Sequence, residues 1–272
     1  MADASAPLRI EAEVVSAESA GGANHRLRLA VPGWPGFAPG QFVMLSPGAR
    51  TATPRTDPLL PRPMAVYREV GEGRPEIEIL FKRHGRGTAL LAEVRPGERV
   101  GLFGPLGHGF PLADPGERAV LVAGGTGIAS VFELALRLRA AGTPLLVLLG
   151  ARGASDLMGE ADFADAGLPL RIATEDGSRG ERGLVTALLE AEFASTTPTR
   201  VYACGPTAMM RRAAEIARGR DVPCVVSLEN PMACGFGVCL GCAAPLREGG
   251  FALVCRDGPV FAAEQISWAG LA

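Results

Sequence analysis

Lysine is nearly absent from this chain: Lys82 is the only one among its 27 basic residues, the rest being arginine. Together with abundant alanine and 36 glycines, that usage reads as a coding bias, so an isolated arginine carries little weight as a functional signal. Histidine is scarce as well, three scattered residues, and 29 acidic residues bring the formal net charge to -2. No basic field exists to draw in a phosphate backbone or an anionic bilayer surface, which removes nucleic acid and membrane from the expected partners. Long apolar runs are missing too: stretches such as Leu145 to Leu149 fall far short of the ~18 residues that cross a bilayer. The opening MADASAPLRIEAEVV has no basic start followed by an apolar stretch, so the expectation is a soluble, unexported, cytoplasmic protein. No internal repeat or low-complexity segment occurs.

What is present is a chain of 272 residues, 47% hydrophobic and 21% charged, long and apolar enough for two ordinary domains with a core each. Residues 8 to 104 alternate short β-type runs (LRIEAEVV, HRLRLAV, QFVMLS, MAVYRE, EIEILFKR) with Pro and Gly clusters, which predicts an antiparallel barrel or sandwich. The aperiodic stretch between Ser46 and Pro63, rich in Pro, Thr and Arg, predicts a loop or flap. From Arg118 buried strands alternate with amphipathic helices: AVLVA then ASVFELALRLRAA, LLVLLG, LRIAT then LVTALLEAEF, VYAC then TAMMRRAAEIA, and CVVSL. That alternation predicts a parallel sheet with helices on its faces. The divisions expected are residues 1–114, 115–228 and a Gly- and Cys-rich tail, 229–272.

Four of the six cysteines crowd into the tail as Cys234, Cys239, Cys242 and Cys255. The spacing, four residues, then two, then twelve, is the C-x4-C-x2-C…C pattern of plant-type [2Fe-2S] ferredoxins. Three thiolates must leave one tight loop because the two irons are close together. Gly235, Gly237 and Gly241 allow strained turns there and bring backbone N–H groups near sulfur. A structural zinc site is the alternative, yet such sites usually pair two short knuckles and only one C-x2-C is present. Cys204 and Cys224 lie at strand ends outside the loop, where a small buried thiol is the default.

Two glycine-rich turns carry a weaker signal. Arg62-Pro63-Met64-Ala65-Val66 opens a strand, and Lys82 to Thr88 leads from a strand into a helical run, so a cation and a helix entrance with free N–H groups suit a pyrophosphate. A turn needing positive φ explains Gly85 and Gly87 equally well. Gly124-Gly125-Thr126-Gly127 joins the first strand of the second domain to its first helix, where a dinucleotide phosphate binds or where helix and strand simply pack closely. Later strand ends add Thr174 to Ser178 and Cys204-Gly205-Pro206, in the position where ligands of parallel sheets bind, although Glu175 and Asp176 also suit plain turn or cap roles.

Together PGQFVML, RPMAV, the G-x-G-T turn, GPLGHGF, AGGTGIA, YACGP and SLENPMACGFGVCLGC…VCRDGPVF resemble the ferredoxin reductase superfamily, and within it the electron-transfer subunits of bacterial dihydroorotate dehydrogenase, from about Leu8 to Phe261. The resemblance implies an N-terminal antiparallel flavin-binding β-barrel, a parallel-sheet nicotinamide-binding domain and a C-terminal [2Fe-2S] loop. It implies FAD on Arg62, Pro63, Met64 and Ala65, with Leu80, Phe81, Lys82, Gly87 and Thr88 completing the site, and cluster ligation by the four tail cysteines. Gly124, Gly125, Thr126 and Gly127, with Asp176, Gly177, Ser178, Cys204, Gly205 and Pro206, would line the nicotinamide side, Cys204 near the reacting ring. An FMN-containing dihydroorotate dehydrogenase catalytic subunit would be the partner, in a heterotetramer, with NAD as substrate. Relatives often carry a hydroxyl residue where Ala65 stands and a proline where Ser130 stands. Equivalent subunits serving a hydrogenase or a ferredoxin-NADP reductase complex remain alternatives, as does a zinc-stapled, non-enzymatic interaction module. Between NAD and NADP, Glu175 and Arg152 point in opposite directions.

Overall fold

The computed structural model describes residues 6–51, 53, 57–71, 73–196 and 198–271. Part of the expected flap, residues 52 and 54–56, lies outside the described residues, as does the start of the N-terminal segment.

The first sheet takes in β1 (Leu8–Ser19), β2 (Asn24–Ala30), β3 (Phe42–Leu45), β4 (Arg62–Ala65), β5 (Arg68–Val70), β6 (Glu76–Lys82) and β7 (Arg99–Leu106), with α1 (Gly85–Ala92) between the last two. Its order is β4-β3-β7-β1-β2-β6-β5, antiparallel throughout. Alternating side chains of these strands, Ala12 and Val14, Leu27 and Leu29, Ile77 and Ile79, Val100 and Leu102, close a core of their own, as a period-2 pattern requires.

The second sheet takes in β8 (Ala119–Gly124), β9 (Leu145–Ala151), β10 (Leu170–Thr174), β11 (Glu181–Arg182), β12 (Arg200–Cys204) and β13 (Cys224–Ser227), covered by α2 (Ile128–Ala140), α3 (Glu160–Asp165), α4 (Val185–Ser195) and α5 (Thr207–Arg218). The tail adds a hairpin of β14 (Ala243–Pro245) and β15 (Phe251–Leu253), then α6 (Val254–Asp257) and β16 (Val260–Ala262). The order β11-β10-β9-β8-β12-β13-β16 is parallel except for β16, which runs antiparallel to β13. β8 is buried on both faces, the signature of a strand covered by helices on either side. The tail is therefore stitched into the second sheet through β16.

Side chains lock the two sheets together. Tyr67, beside β5, stacks on Phe132 of α2 with ring centroids 4.6 Å apart, an aromatic pair worth about 1 kcal/mol beyond its area. Arg26 bridges Glu78 of β6 and Asp162 of α3 at 2.5 Å each, and Arg68 and the Tyr67 hydroxyl complete the network. Asp162 thereby fixes a helix of the second sheet to two strands of the first, β2 through Arg26 and β5 through Arg68. Lys82 at the end of β6 pairs with Asp156, another crossing of the same seam.

Candidate functional site

β4 and β6 end at the seam, and their residues Arg62, Pro63, Met64, Ala65, Leu80, Phe81 and Lys82, with Thr88 of α1, line a cavity of about 260 Å³. The opposite wall comes from Thr126, Ser130, Ser227, Glu229, Asn230 and Met232. Gly87 meets Arg62 so closely that a Cβ on it would lie 2.5 Å from the Arg62 Nε, so this position admits no side chain without moving the guanidinium. Helix α1 has no side-chain cap at its N-terminus, and Arg62 stands against it, which is a fixed cation beside open N–H groups. That arrangement fits a dinucleotide pyrophosphate, and the apolar strand residues beyond it fit a flat ring system.

A second cavity, of about 400 Å³, opens at the carboxyl ends of β8, β9 and β10. Gly124 and Gly125, Gly150 to Arg152, Asp156, Glu175, Pro206, Met209 and Lys82 line it. Gly127 is forced by close approach: a Cβ there would fall 2.3 Å from the Cys204 carbonyl. Gly205 has φ +147 and faces the Gly124 backbone, so the two glycine-bearing turns press against each other. Asp176 accepts hydrogen bonds from the Ser178 N–H and hydroxyl at 2.9 and 2.6 Å, and the Ser178 hydroxyl accepts one from the Ala154 N–H. Those two residues thus shape the loop, while Glu175 is the one of that segment on the cavity wall.

Beside the first cavity sits a trio that the sequence reading brought together only in part. Cys204 is fully buried, its thiol near Ser130 and Ser227 and 3.9 Å from a Glu229 carboxylate oxygen. Burial, reinforced by Glu229, pushes the Cys204 thiol up to about 12, so it is a neutral thiol and no nucleophile. Glu229 was not singled out by sequence. Its carboxylate accepts a hydrogen bond from the Thr126 hydroxyl at 3.1 Å and lines the first cavity, through which the residue is exposed. Desolvation by the protein atoms around the cavity raises the Glu229 pKa, against the pull of the Thr126 and Cys204 hydrogen bonds. Parallel pairing of Cys204 with Ser227 in neighbouring strands is what delivers Glu229, two residues on, to this point.

The tail cysteines gather in two pairs. Cys242 and Cys255, both buried, bring their sulfurs to 3.2 Å, and the Cys255 N–H also points to the Cys242 sulfur at 3.4 Å. Cys234 lies within hydrogen-bonding reach of the Cys239 thiol. Burial would raise the Cys234 pKa, but N–H groups of Cys239, Phe236 and Val238, with the Cys239 thiol, outweigh it and hold the group at about 6, favouring thiolate. Among the described residues no three His, Cys, Asp or Glu side chains are arranged to hold a single metal ion. Two thiol pairs side by side, with N–H groups aimed at sulfur, fit a two-iron cluster that takes two thiolates per iron. Gly235, at φ +84, lets the loop turn under Met44, whose side chain a Cβ would strike at 2.6 Å. Met232 lines the first cavity and Cys234 is two residues further on, a span of at most about 7 Å.

Residues 229–267 match the iron-sulfur cluster binding domain of dihydroorotate dehydrogenase B, and residues 121–215 match an oxidoreductase NAD-binding domain. The electron transfer subunit of dihydroorotate dehydrogenase B (NAD(+)) from Geobacillus thermodenitrificans is 40% identical over 232 residues, 84% of this chain and 86% of the relative. The subunit of that name from Desulforamulus reducens is 36% identical, covering 85% and 87%. Among solved structures, the NADH-dependent reduced ferredoxin-NADP oxidoreductase of flavin-based electron bifurcation superposes with TM-score 0.85 at 26% identity, over all of this chain and 93% of the other. A ferredoxin reductase of carbazole 1,9a-dioxygenase shares the fold, with TM-score 0.65 at 23% identity over 80% and 67%. Identity at that level over that much of both chains, with the tail model falling on the paired cysteines, means that this chain belongs to the family of dihydroorotate dehydrogenase B electron transfer subunits.

Proposed function

We propose that this chain carries electrons between an FMN-containing dihydroorotate dehydrogenase catalytic subunit and NAD, in pyrimidine biosynthesis. The observation that carries the reading is the junction at Met232-Ala233-Cys234: one end lines the flavin-shaped cavity and the other belongs to the paired cysteines, so two redox groups would sit within a few residues of each other. FAD and a [2Fe-2S] cluster supply the conversion between a nicotinamide's two-electron hydride and one-electron transfer.

The chain's own residues bind, align and shield. Arg62, Gly87 and the entrance of α1 would hold the FAD pyrophosphate, and Pro63, Met64, Ala65, Leu80 and Phe81 the rest of it. Cys234 and Cys239 would ligate one iron, Cys242 and Cys255 the other. Gly124, Gly125 and Pro206 would seat the nicotinamide dinucleotide, and Thr126 and Glu229, with Cys204 beside them, stand on the wall of the flavin cavity. Ala65 brings no hydroxyl to the flavin cavity, whereas Thr126, Ser130 and Ser227 bring three from the opposite wall. None of these groups is arranged as a base for dihydroorotate, whose oxidation falls to the partner. The division into residues 1–114 for FAD, 115–228 for NAD and 229–272 for the cluster belongs to the same reading.

A docking face goes with it. Phe236, Val238 and Leu240 of the cysteine loop are 53%, 72% and 63% exposed, and Leu59 adds apolar surface to a groove shared with Phe103, Cys234 and Phe236. A cluster of large exposed apolar side chains beside a redox site suits a protein partner, here the catalytic subunit, in a heterotetramer. No helix among the described residues is long and apolar enough to cross a membrane. All six cysteines are unbridged, which goes with a cytoplasmic setting. The test is the anaerobic visible spectrum of the protein. Flavin and iron-sulfur bands that bleach on adding NADH support the reading, and a colourless, zinc-containing protein would sink it.

A further inference from the structure

Strand β3 serves three parts of the molecule at once. Its alternate side chains Val43 and Leu45 enter the core of the first sheet, while Phe42 and Met44, on the other face, enter the core that holds Cys242 and Cys255. Phe42 lines the flavin-shaped cavity, and Met44, two residues on, lines the groove beside Cys234 and Phe236. Strand β7 completes that face. Phe42 pairs with Leu106 and Met44 with Phe103, so β7 uses three residues where β3 uses two, and this bulge turns Leu106 onto the same face as Phe103.

Three barrel side chains therefore meet the cysteine loop at one peptide. A Cβ on Gly235 would lie 2.6 Å from the Met44 Cγ, 2.9 Å from its sulfur and 3.2 Å from the Leu106 Cδ1, so the Gly235 backbone rests directly on both residues. Phe236, the next residue, packs edge-on against Phe103 with ring centroids 6.0 Å apart. The peptide joining Gly235 to Phe236 is thus gripped at both ends, and its N–H is one that donates to the Cys234 sulfur, at 3.5 Å. A hydrogen bond to a ligating sulfur stabilises the extra negative charge of a reduced iron–sulfur centre and so raises its potential.

Resting on the reading of the tail as a [2Fe-2S] site, we propose that Met44 is a positioning residue for that site. With Phe103 and Leu106 it holds the Gly235–Phe236 peptide in place, keeps its N–H on the Cys234 sulfur, and thereby holds the cluster potential up. The barrel then sets the potential of a centre bound by the tail, from the same strand that lines the flavin cavity. Truncating Met44 has two opposed effects, which the sign of the change separates. Freeing the peptide lowers the potential, whereas water entering beside the loop would solvate the more negative reduced state and raise it.

The test is a redox titration of the full-length protein loaded with flavin and cluster, with the cluster read by electron paramagnetic resonance and the flavin by absorbance. Met44→Ala should lower the cluster midpoint so that, at the wild-type midpoint, the ratio of reduced to oxidised cluster falls about tenfold, about 59 mV for one electron. The flavin midpoint should stay in place. Met44→Leu, which refills the space, should restore most of the loss, and Phe103→Leu should give a smaller fall. A cluster midpoint that is unchanged or raised in Met44→Ala overturns the proposal while leaving the cluster assignment intact, and so does a fall shared equally by the flavin. If Met44→Ala holds no cluster, Phe103→Leu decides by the same criterion. A wild type without the signal of a reduced two-iron centre overturns the reading of the tail and the proposal with it.

Discussion

The Cys242 and Cys255 sulfurs lie 3.2 Å apart although twelve residues separate them in sequence, because the β14–β15 hairpin folds the chain back between them. With Cys234 and Cys239 as the second pair, the proposed cluster would need each of the four and neither of the other two cysteines. Cys→Ser at position 234, 239, 242 or 255 should therefore strip most of the iron and acid-labile sulfide from the purified protein. Cys204→Ser and Cys224→Ser should keep the wild-type iron content, since both thiols are buried, neutral and outside the loop.

Arg62 and Gly87 are the test of the flavin cradle. Arg62→Ala removes a charge-assisted contact worth about 1.5–3 kcal/mol, so FAD affinity should fall about tenfold to a hundredfold by equilibrium titration of the flavin-stripped protein. Gly87→Val, by displacing the guanidinium, should move in the same direction with the arginine still present.

Glu229 gives a pH signature. Its pKa in the fold is raised above the ordinary carboxylate value, so the fold favours the protonated acid. That contribution is fully present below the unfolded pKa and is lost as pH rises through the raised value. Glu229→Gln keeps a neutral side chain that can meet the Thr126 hydroxyl. Differential scanning calorimetry of the flavin-free protein should show the variant gaining on wild type as the pH rises above the ordinary carboxylate range; a difference that does not change with pH would contradict the raised carboxyl.

Much of this was legible in the sequence, and what was not has a common cause. The tail cysteines are local, three of them within nine residues, so spacing alone drew attention to the loop. The strand-turn-helix at Gly124 to Gly127 was visible for the same reason. Glu229 stayed hidden because its meeting with Cys204 depends on the register of two strands that a helix separates. Likewise Asp162 and Asp156 become meaningful only when α3 and the turn before it are laid against the barrel, which no local pattern announces. The short strand β16, three residues in the tail, carried too little period to be read as part of the second sheet.

Asp162 also predicts a cost. Asp162→Ala would leave Arg26 with Glu78 alone and the Tyr67 hydroxyl without its acceptor, in a seam whose carboxylates are only 7–15% exposed. Breaking a mostly buried network of this kind costs about 3 kcal/mol, measured as a shift in the denaturation midpoint. Asp162→Asn, which keeps an acceptor for Tyr67, should lose less.

The exposed apolar residues of the cysteine loop predict a loss of assembly without a loss of colour. Val238→Glu with Leu240→Glu should weaken binding of the catalytic subunit by at least about 30-fold, the scale of a disrupted hot spot, while iron content stays at the wild-type level. Surface plasmon resonance against the isolated catalytic subunit reads the first and iron analysis the second.

The central claim is that electrons from dihydroorotate reach NAD through this chain, and the direct measurement is dihydroorotate-dependent NADH formation by the isolated complex. The account predicts NADH formation that disappears when this subunit is removed and returns when it is added back. A complex that holds flavin and cluster, is reduced by NADH, and yet forms no NADH from dihydroorotate would contradict it and assign the subunit to a different redox partner.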